Sequence, residues 1–338
     1  MDKGAWHHER DVWVMRIFER DGHTVYPIVV PANYGLETCN FYLLKHGERL
    51  TLIDAGMPDK SSWQGLMEVL EKNNFHLNDI TEILLTHHHI DHVGLVNQIT
   101  EKHSVPVYAH PLSIPRLKRD NEFLKMRVDF FEQLYREMDC GDQGEKQVQY
   151  LKASLEKNDN QKLAADITPI QGGMRLFAFS IIEVPGHAPD QIAFVDEARK
   201  WCFAGDQLIK HISSNAIVEP DLEGNRIQSL IDYKKSLTAF KNLNVDLVFS
   251  GHGELIDNSK QLIEARLEKM VKKSQKIKKL IKDGISTGNA VAQHLYERHY
   301  EKQFPLVMSE ITGHLDALEA EGQIGKRMKS GVWYYYAV

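Results

Sequence analysis

Thr86-His87-His88-His89-Ile90-Asp91-His92-Val93-Gly94 is the stretch from which the rest of this chain is read. It has the form His-x-His-x-Asp-His and follows a short apolar run, Ile80 to Leu85, that reads as a buried strand. Imidazole and carboxylate both bind Zn²⁺ well, and the metal needs several such ligands converging within about 2.0–2.2 Å. In extended chain, residues two apart point the same way, so His87 and His89 can grip one ion. Asp91 and His92 begin the next turn and can face a second position nearby. Four metal-type ligands within six residues of a strand-to-helix loop are hard to explain by folding alone, because buried His and Asp are costly unless paired.

Three more stretches fit this pattern. Pro185-Gly186-His187 follows the strand-like run Ile181 to Val184, and Gly205-Asp206 follows Trp201 to Ala204. Ser250-Gly251-His252-Gly253 follows Asp246 to Phe249. Each candidate ligand lies just beyond an apolar strand and next to glycine. Loops at one edge of a sheet are where rigid scaffolds display functional groups, and glycine lets backbone approach closely.

The surrounding pattern is layered α and β. Trp13 to Phe18 and Val25 to Val30 read as one hairpin, and Phe41 to Leu44 with Leu50 to Ile53 as another, broken by Asp54-Ala55-Gly56. Ser61 to Asn73 is helical, with Ser61 or Ser62 as its N-cap and Trp63, Leu66, Met67 and Leu70 on one face. His92 to Lys102 is a second helix and Val105 to Ala109 a strand. Residues 111–166 are charge-dense, with aromatic and aliphatic residues recurring at three to four, and read as a helical insertion: a lid over the site or a dimer element. Strands resume at Leu176 to Val184, Gln191 to Val195 and Trp201 to Ala204, followed by a helix over Gln228 to Asn242.

The chain has 338 residues, enough for one large domain and a smaller one. We read residues 1–258 as the catalytic domain and 259–338 as a C-terminal domain. The latter contains a lysine-rich helix (Leu262 to Lys282), two amphipathic helices (Asn289 to Tyr300, Ser309 to Glu321) and a hairpin over Gly322 to Val338. From residue 260 on there are 14 Lys/Arg and 9 Asp/Glu, a net +5, which leaves −11 for the remainder of a chain whose total is −6. That acidic remainder argues against a surface that binds nucleic acid throughout. Hydrophobic residues at 42%, a mean hydropathy of −0.39 and the lack of a long apolar run exclude a helical membrane protein. Cys39, Cys140 and Cys202 are too few for a disulfide scaffold and form no CxxC pair. With no apolar leader in the first residues, the expectation is a cytoplasmic protein.

At this point the chain resembles the metallo-β-lactamase superfamily of hydrolases, over roughly residues 20–110 and 167–258 and with the motifs in the family's order. The fold this implies is an αββα sandwich, carrying here a helical insertion and a tail that resembles the winged-helix appendix of the β-lactamase-like-2 branch. By the same likeness His87, His89 and His187 would hold one metal, Asp91, His92 and His252 a second, and Asp206 would bridge both. Asp54 would be a supporting carboxylate rather than a ligand, and His88 would be exposed or hydrogen-bonded. Two divalent ions, Zn²⁺ first and Fe or Mn next, would share a water and lower its pKa to roughly 7. The resulting bridging hydroxide would attack the substrate, with Asp91 orienting it.

The leading expectation is a hydrolase of a small ester, thioester or lactone. The runner-up is a metal-dependent nuclease helped by the basic tail, with Lys272 to Lys282 and Lys326, Arg327 and Lys329 on phosphates. A metabolite-sensing regulator that keeps the metal site is the third. A penicillin-cleaving enzyme ranks below these, because such enzymes are secreted. Asn33, Tyr34 and Asn40 lie where the family's rim sits, and no substrate-binding residue is assigned. His7, His8, His23, His103 and His110 read as surface residues, and Cys202 as a small core residue.

Overall fold

The computed structural model describes residues 7–9, 12–14, 16–33, 35–156 and 161–338. A small ladder pairs β1 (His7–Glu9) with β2 (Val12–Val14). A seven-stranded sheet follows in the order β3 (Phe18–Arg20), β4 (His23–Pro31), β5 (Thr38–His46), β6 (Arg49–Ile53), β7 (Glu82–Leu84), β8 (Val107–Ala109) and β9 (Ile167–Pro169). The single first strand expected over Trp13 to Phe18 is thus two strands. Asp21 and Gly22 both take positive φ, which makes a two-residue turn immediately after Arg20 and fixes the Arg20–His23 register. The second sheet has five strands: β10 (Arg175–Leu176), β11 (Phe179–Glu183), β12 (Ile192–Asp196), β13 (Trp201–Gly205) and β14 (Leu247–Ser250).

Period-two patterning assigns each strand residue to a layer. Val25, Tyr42, Leu44, Ile53 and Leu84 from the first sheet meet Phe179, Ile181, Phe194, Phe203 and Phe249 from the second. Each of those phenylalanines is essentially inaccessible, and each contributes roughly 1.5–3 kcal/mol by leaving water. The alternate residues of the first sheet, Ile28, Phe41, Leu43 and Leu52, pack on α1 (Lys60–Lys72), α2 (Ile90–Val93) and α3 (Val96–Lys102) through Leu66, Leu70, Val93, Val96 and Ile99. Asp59, not a serine, caps α1 by accepting from the Ser62 N–H, and Met67 is partly exposed. The helix expected over His92 to Lys102 breaks at Gly94. A side chain there would meet the Pro58 backbone at 2.2 Å, so only glycine lets α2 sit against residues 55–58. The outer face of the second sheet packs on α7 (Ser229–Lys241) and the start of α8 (Ser259–Lys282) through Leu230, Tyr233, Leu237, Phe240 and Ile263. The layers therefore run helix, sheet, sheet, helix.

The 111–166 segment forms α4 (Ile114–Leu117), α5 (Asn121–Glu137) and α6 (Gly141–Glu156). Its Phe131, Leu134, Tyr135, Met138 and Val148 do not form a core of their own. They join Ile277 and Ile281 of α8, Val291 of α9 (Gly288–Tyr296), Phe304, Ile311 and Leu315 of α10 (Phe304–Ala320), and Ile324 and Tyr335 of the closing hairpin β15 (Ile324–Lys329) and β16 (Val332–Ala337). Two segments more than 100 residues apart thus share one apolar interior. Among the described residues no helix is long and apolar enough to cross a membrane.

Candidate metal centre

Strand direction gathers the functional loops. β6 and β7 are parallel neighbours, so the turn after Ile53 and the loop after Leu84 leave the first sheet at the same edge. β11 and β13 both run antiparallel to β12, and β13 is parallel to β14. The loops that carry His187, Asp206 and His252 consequently leave the second sheet together. A bulge between Phe203 and Gly205 turns Asp206 into the space between the sheets. Glycine keeps that space open: a side chain at Gly251 would lie 2.5 Å from Asp206 Oδ1 and 2.6 Å from the His92 ring.

All seven expected ligands meet there. His87 Nε2 and His187 Nε2 each lie 3.0 Å from His89 Nδ1. His252 Nε2 lies 3.3 Å from Asp91 Oδ2, and His92 Nε2 lies 4.0 Å from the same oxygen. Asp206 reaches both groups: Oδ2 is 3.4 Å from His187 Nε2 and 3.2 Å from His252 Nε2, and Oδ1 is 3.3 Å from His92 Nε2. The ligand atoms of three sets lie within 4.8 Å of one another: His87, His89 and His187; His87, His92 and Asp206; and Asp91, His92 and His252.

His92, His187 and His252 are each aimed by a bond at the far nitrogen, the usual way a protein fixes a ligating tautomer. His92 Nδ1 meets Asp54 Oδ2 at 2.8 Å, His187 Nδ1 the Asn215 carbonyl at 2.9 Å, and His252 Nδ1 the Thr38 carbonyl at 2.7 Å. Asp54 also accepts the Thr86 N–H at 2.8 Å and the Thr86 hydroxyl, so it ties the end of β6 to the ligand loop and touches no ligand position itself. Its left-handed backbone, φ 58°, turns the carboxylate inward.

Burial pushes the His87 imidazole well below its usual range, with His92 and His89 adding to the effect. Burial pushes His89 well below its usual range too, and lowers His187. Burial opposes a charge on His92 as well, but the carboxylates of Asp206, Asp54 and Asp91 hold that imidazole well above its usual range. His252 is raised to about 10 against its burial, chiefly by Asp206. Against their own burial, His252 and His92 keep Asp206 well below the carboxylate range, and His92 and His252 do the same for Asp91. His92 Nε2, His252 Nε2 and Asp206 Oδ1 are nevertheless buried without a hydrogen-bond partner. Three orphaned donor atoms converging on one space fit a divalent cation of the kind that takes nitrogen and oxygen ligands.

The other expected residues divide. His88 Nδ1 meets the fully buried Asp190 at 2.6 Å, and the Ser113 hydroxyl donates to the other oxygen of that carboxylate at 2.6 Å. Asn33 is exposed, Tyr34 lies outside the described residues, and Asn40 is buried. The Asn40 amide donates to the Ser250 and Gly253 carbonyls at 3.1 and 2.8 Å, so it supports the His252 loop from within. His110 is not a surface residue: it is buried, its Nδ1 accepts the Leu112 N–H, and Nε2 lies 3.5 Å from Glu183. His23 stacks on His46, and His103 is bonded to the Ile80 carbonyl; both are half-buried. The side chains of His7 and His8 lie outside the described residues. Cys202 is buried in β13 as expected. Sequence reasoning missed Thr86, Asp190, Ser113 and the carbonyls of Asn215 and Thr38. Only Thr86, adjoining the motif, carried any local signal.

The profile of the metallo-beta-lactamase superfamily matches residues 34–252. Probable metallo-hydrolase YqjP of Bacillus subtilis is 33% identical over 312 residues, covering 92% of this chain and 97% of that protein. The beta-lactamase-like protein 2 homolog of Caenorhabditis elegans is 26% identical, covering 75% and 68% respectively. The atrochrysone carboxyl ACP thioesterase of Aspergillus fumigatus is 21% identical, covering 91% and 84%. The crystal structure of the metallo-beta-lactamase family protein TTHA1429 from Thermus thermophilus shares the fold over 93% of this chain and 98% of its own, with a TM-score of 0.72 at 23% identity.

Proposed function

This chain belongs to the metallo-beta-lactamase superfamily and is a metallo-hydrolase, and from that premise we propose that it uses two divalent cations to cleave a small thioester, ester or lactone with water. The observation that carries the dinuclear reading is Asp206, whose two oxygens face both ligand groups at once. His87, His89 and His187 would hold one cation, and Asp91, His92 and His252 the other. Zn²⁺ suits this His and carboxylate set best, with Fe or Mn next. Bound there, the cations would make water acidic enough to act near neutral pH and would polarise the electrophile's oxygen.

The chain's own residues do the rest. Asp91 is the more exposed of the two ligand-set carboxylates, with its side chain 19% exposed against 6% for Asp206. It orients the attacking water and accepts its proton. Asp54, Asn215 and Thr38 hold the imidazoles in place, so no reorganisation is needed during the reaction. Thioesters lead the substrate classes because a relative aligned along most of this chain is named a thioesterase. Three buried cysteines with no disulfide suit a reducing cytoplasm. We read α8–α10 with the β15–β16 hairpin as a winged-helix-type appendix that packs rather than binds nucleic acid, because Lys273 pairs with Glu310 and Lys326 with Glu319.

Metal analysis of the purified protein is expected to find close to two transition-metal ions per chain. Asp206→Ala is expected to abolish turnover of an aryl thioester while circular dichroism stays unchanged. Full activity in metal-stripped protein would end this reading.

A further inference from the structure

A cavity of about 320 Å³ lies between α8, α10 and the 213–216 loop. Arg266, Lys269, Lys273 and Lys276 recur at three and four along α8, so they form one stripe, and Lys272 adds to its rim. A helix packed on a protein normally turns apolar residues inward. On the cavity side of this stretch Arg266 is buried and Lys273 half-buried, while Lys269, Lys272 and Lys276 stand exposed around the mouth. One lining carboxylate answers five of them: Glu310, which is already held by Lys273 and the Tyr296 hydroxyl. Arg266 is 5% exposed; its Nη2 donates to the Ile209, Lys210 and Ile212 carbonyls, and its Nε has no acceptor among the described residues. Lys272 pairs with Glu268 at 2.7 Å, whereas Lys269 and Lys276 meet no carboxylate among the described residues. The cavity therefore holds surplus positive charge beside a buried guanidinium with one unpaired N–H, which is the chemistry that recognises a multiply charged phosphate group.

Its position ties it to the metal centre. The Asn215 carbonyl accepts from His187 Nδ1, and the Asn215 amide donates to the Leu306 carbonyl of α10 at 2.7 Å. The Ser214 hydroxyl donates to the Asp206 carbonyl at 2.5 Å. One loop thus has two metal-centre residues against one side and the cationic cavity against the other. We infer that this cavity binds the phosphate-bearing carrier end of a thioester substrate while the thioester itself lies at the metal centre, an inference that rests on the hydrolase reading above. An acyl-coenzyme A has that layout: a flexible pantetheine arm separates the reacting carbonyl from a cluster of phosphates. A nucleic-acid strand fits less well. Around the cavity Lys234 is matched by Glu321, Lys241 by Glu264 and Lys326 by Glu319, which breaks a continuous cationic track.

The test compares kcat/KM of the metal-loaded full chain for a short-chain acyl-coenzyme A and for the matching acyl-pantetheine, which lacks the phosphates. The wild-type ratio is expected to favour the coenzyme A form at least tenfold, the scale of one charge-assisted contact. In the Lys269→Ala/Lys276→Ala double variant the ratio is expected to fall about tenfold through KM, whereas Lys282→Ala, farther along the same helix, keeps it. Calorimetry with free coenzyme A should show the same loss of affinity and a further loss with added salt. A wild-type ratio near one, or a ratio the double variant does not move, overturns the inference while hydrolysis of the pantetheine ester keeps the hydrolase reading intact. Coenzyme A binding that the double variant abolishes, in a protein that cleaves neither ester, would sustain the cavity and sink the hydrolase reading. A single-stranded RNA oligonucleotide that binds through these lysines when coenzyme A does not would overturn the inference in favour of nucleic acid.

Discussion

His87, His89 and His187 face one another with a single carboxylate within reach, 3.4 Å from His187, whereas His92 and His252 share their space with both Asp91 and Asp206. Burial is common to both groups, yet its outcome is opposite. In the three-histidine half it wins and keeps the imidazoles neutral. In the acid-rich half the carboxylates win and keep the imidazoles protonated. Identical side chains a few ångströms apart are thus prepared for a cation in different ways. On the proposed reading, one half would ligate without losing protons, while the other would have to exchange protons for the metal.

Asp206 joins the halves, so its loss is the sharpest way to break the comparison. Asp206→Ala removes an oxygen from each group and leaves His92 and His252 with fewer counter-charges. Turnover is expected to fall on the order of 10³-fold or more, and bound metal to drop from near two equivalents to one or fewer. Elemental analysis beside kinetics checks this. Two retained equivalents with normal turnover would mean that the halves are not coupled through this carboxylate.

Proton exchange gives the next largest effect. His252 is raised to about 10 and His92 is raised as well, so between their usual value and that range the metal-free protein carries protons the cation must expel. Affinity for the second equivalent should therefore rise about tenfold per pH unit for each proton released, between roughly pH 6.5 and 9. The three-histidine half is already deprotonated at neutral pH, and its affinity should stay nearly flat across the same window. The sign for the metal-free protein is opposite. A histidine whose pKa is raised by folding stabilises most below its unfolded value, and that contribution fades as pH climbs through about 10. Calorimetric titration with Zn²⁺ in buffers of different ionisation enthalpy counts the protons directly, and equal release at both steps would erase the distinction.

Asp54→Asn acts one bond farther out. The carboxylate aims His92 and grips Thr86, so the amide should lower affinity in the acid-rich half by about 10–100-fold and leave the other half near its original value. Competition with a chromophoric chelator separates the two equivalents. Equal weakening of both would assign Asp54 to the whole ligand loop through Thr86 rather than to His92.

How much of this was legible depends on range along the chain. His87, His89, Asp91 and His92 announce themselves within six residues, and His187, Asp206 and His252 each follow a strand and flank a glycine. Alternation of apolar residues located the sheets, and a positive φ at Asp54 accords with its Asp-Ala-Gly break. The partners that aim the ligands were not legible. Asn215 and Thr38 act through carbonyls that every residue possesses, and Asp190 reaches His88 from 102 positions away. For the same reason Tyr135 gave periodicity, and Phe304, ahead of the helix expected from Ser309, gave none, with no hint that their rings meet in one interior at 5.0 Å. His110 looked like a surface residue because nothing local marks Glu183 as its neighbour.

Asn40 offers the finest adjustment of the comparison. It lies in β5, buried and 1% exposed, and its amide donates to carbonyls on both sides of His252 while the Tyr42 hydroxyl donates to one of the same carbonyls, that of Ser250, at 2.5 Å. Asn40→Ala removes two hydrogen bonds, worth roughly 0.5–1.5 kcal/mol each, and leaves the Gly253 carbonyl with one donor fewer. Tyr42 and the Thr38 carbonyl remain, so His252 keeps its direction but gains freedom. The expected outcome is a few-fold loss of affinity confined to the second equivalent, a Tm lower by several degrees, and an unchanged first equivalent. A first equivalent that weakens in step would show that β5 steadies both halves, and an Asn40→Ala protein with native affinity at both would show that the backbone contact from Thr38 suffices to fix His252.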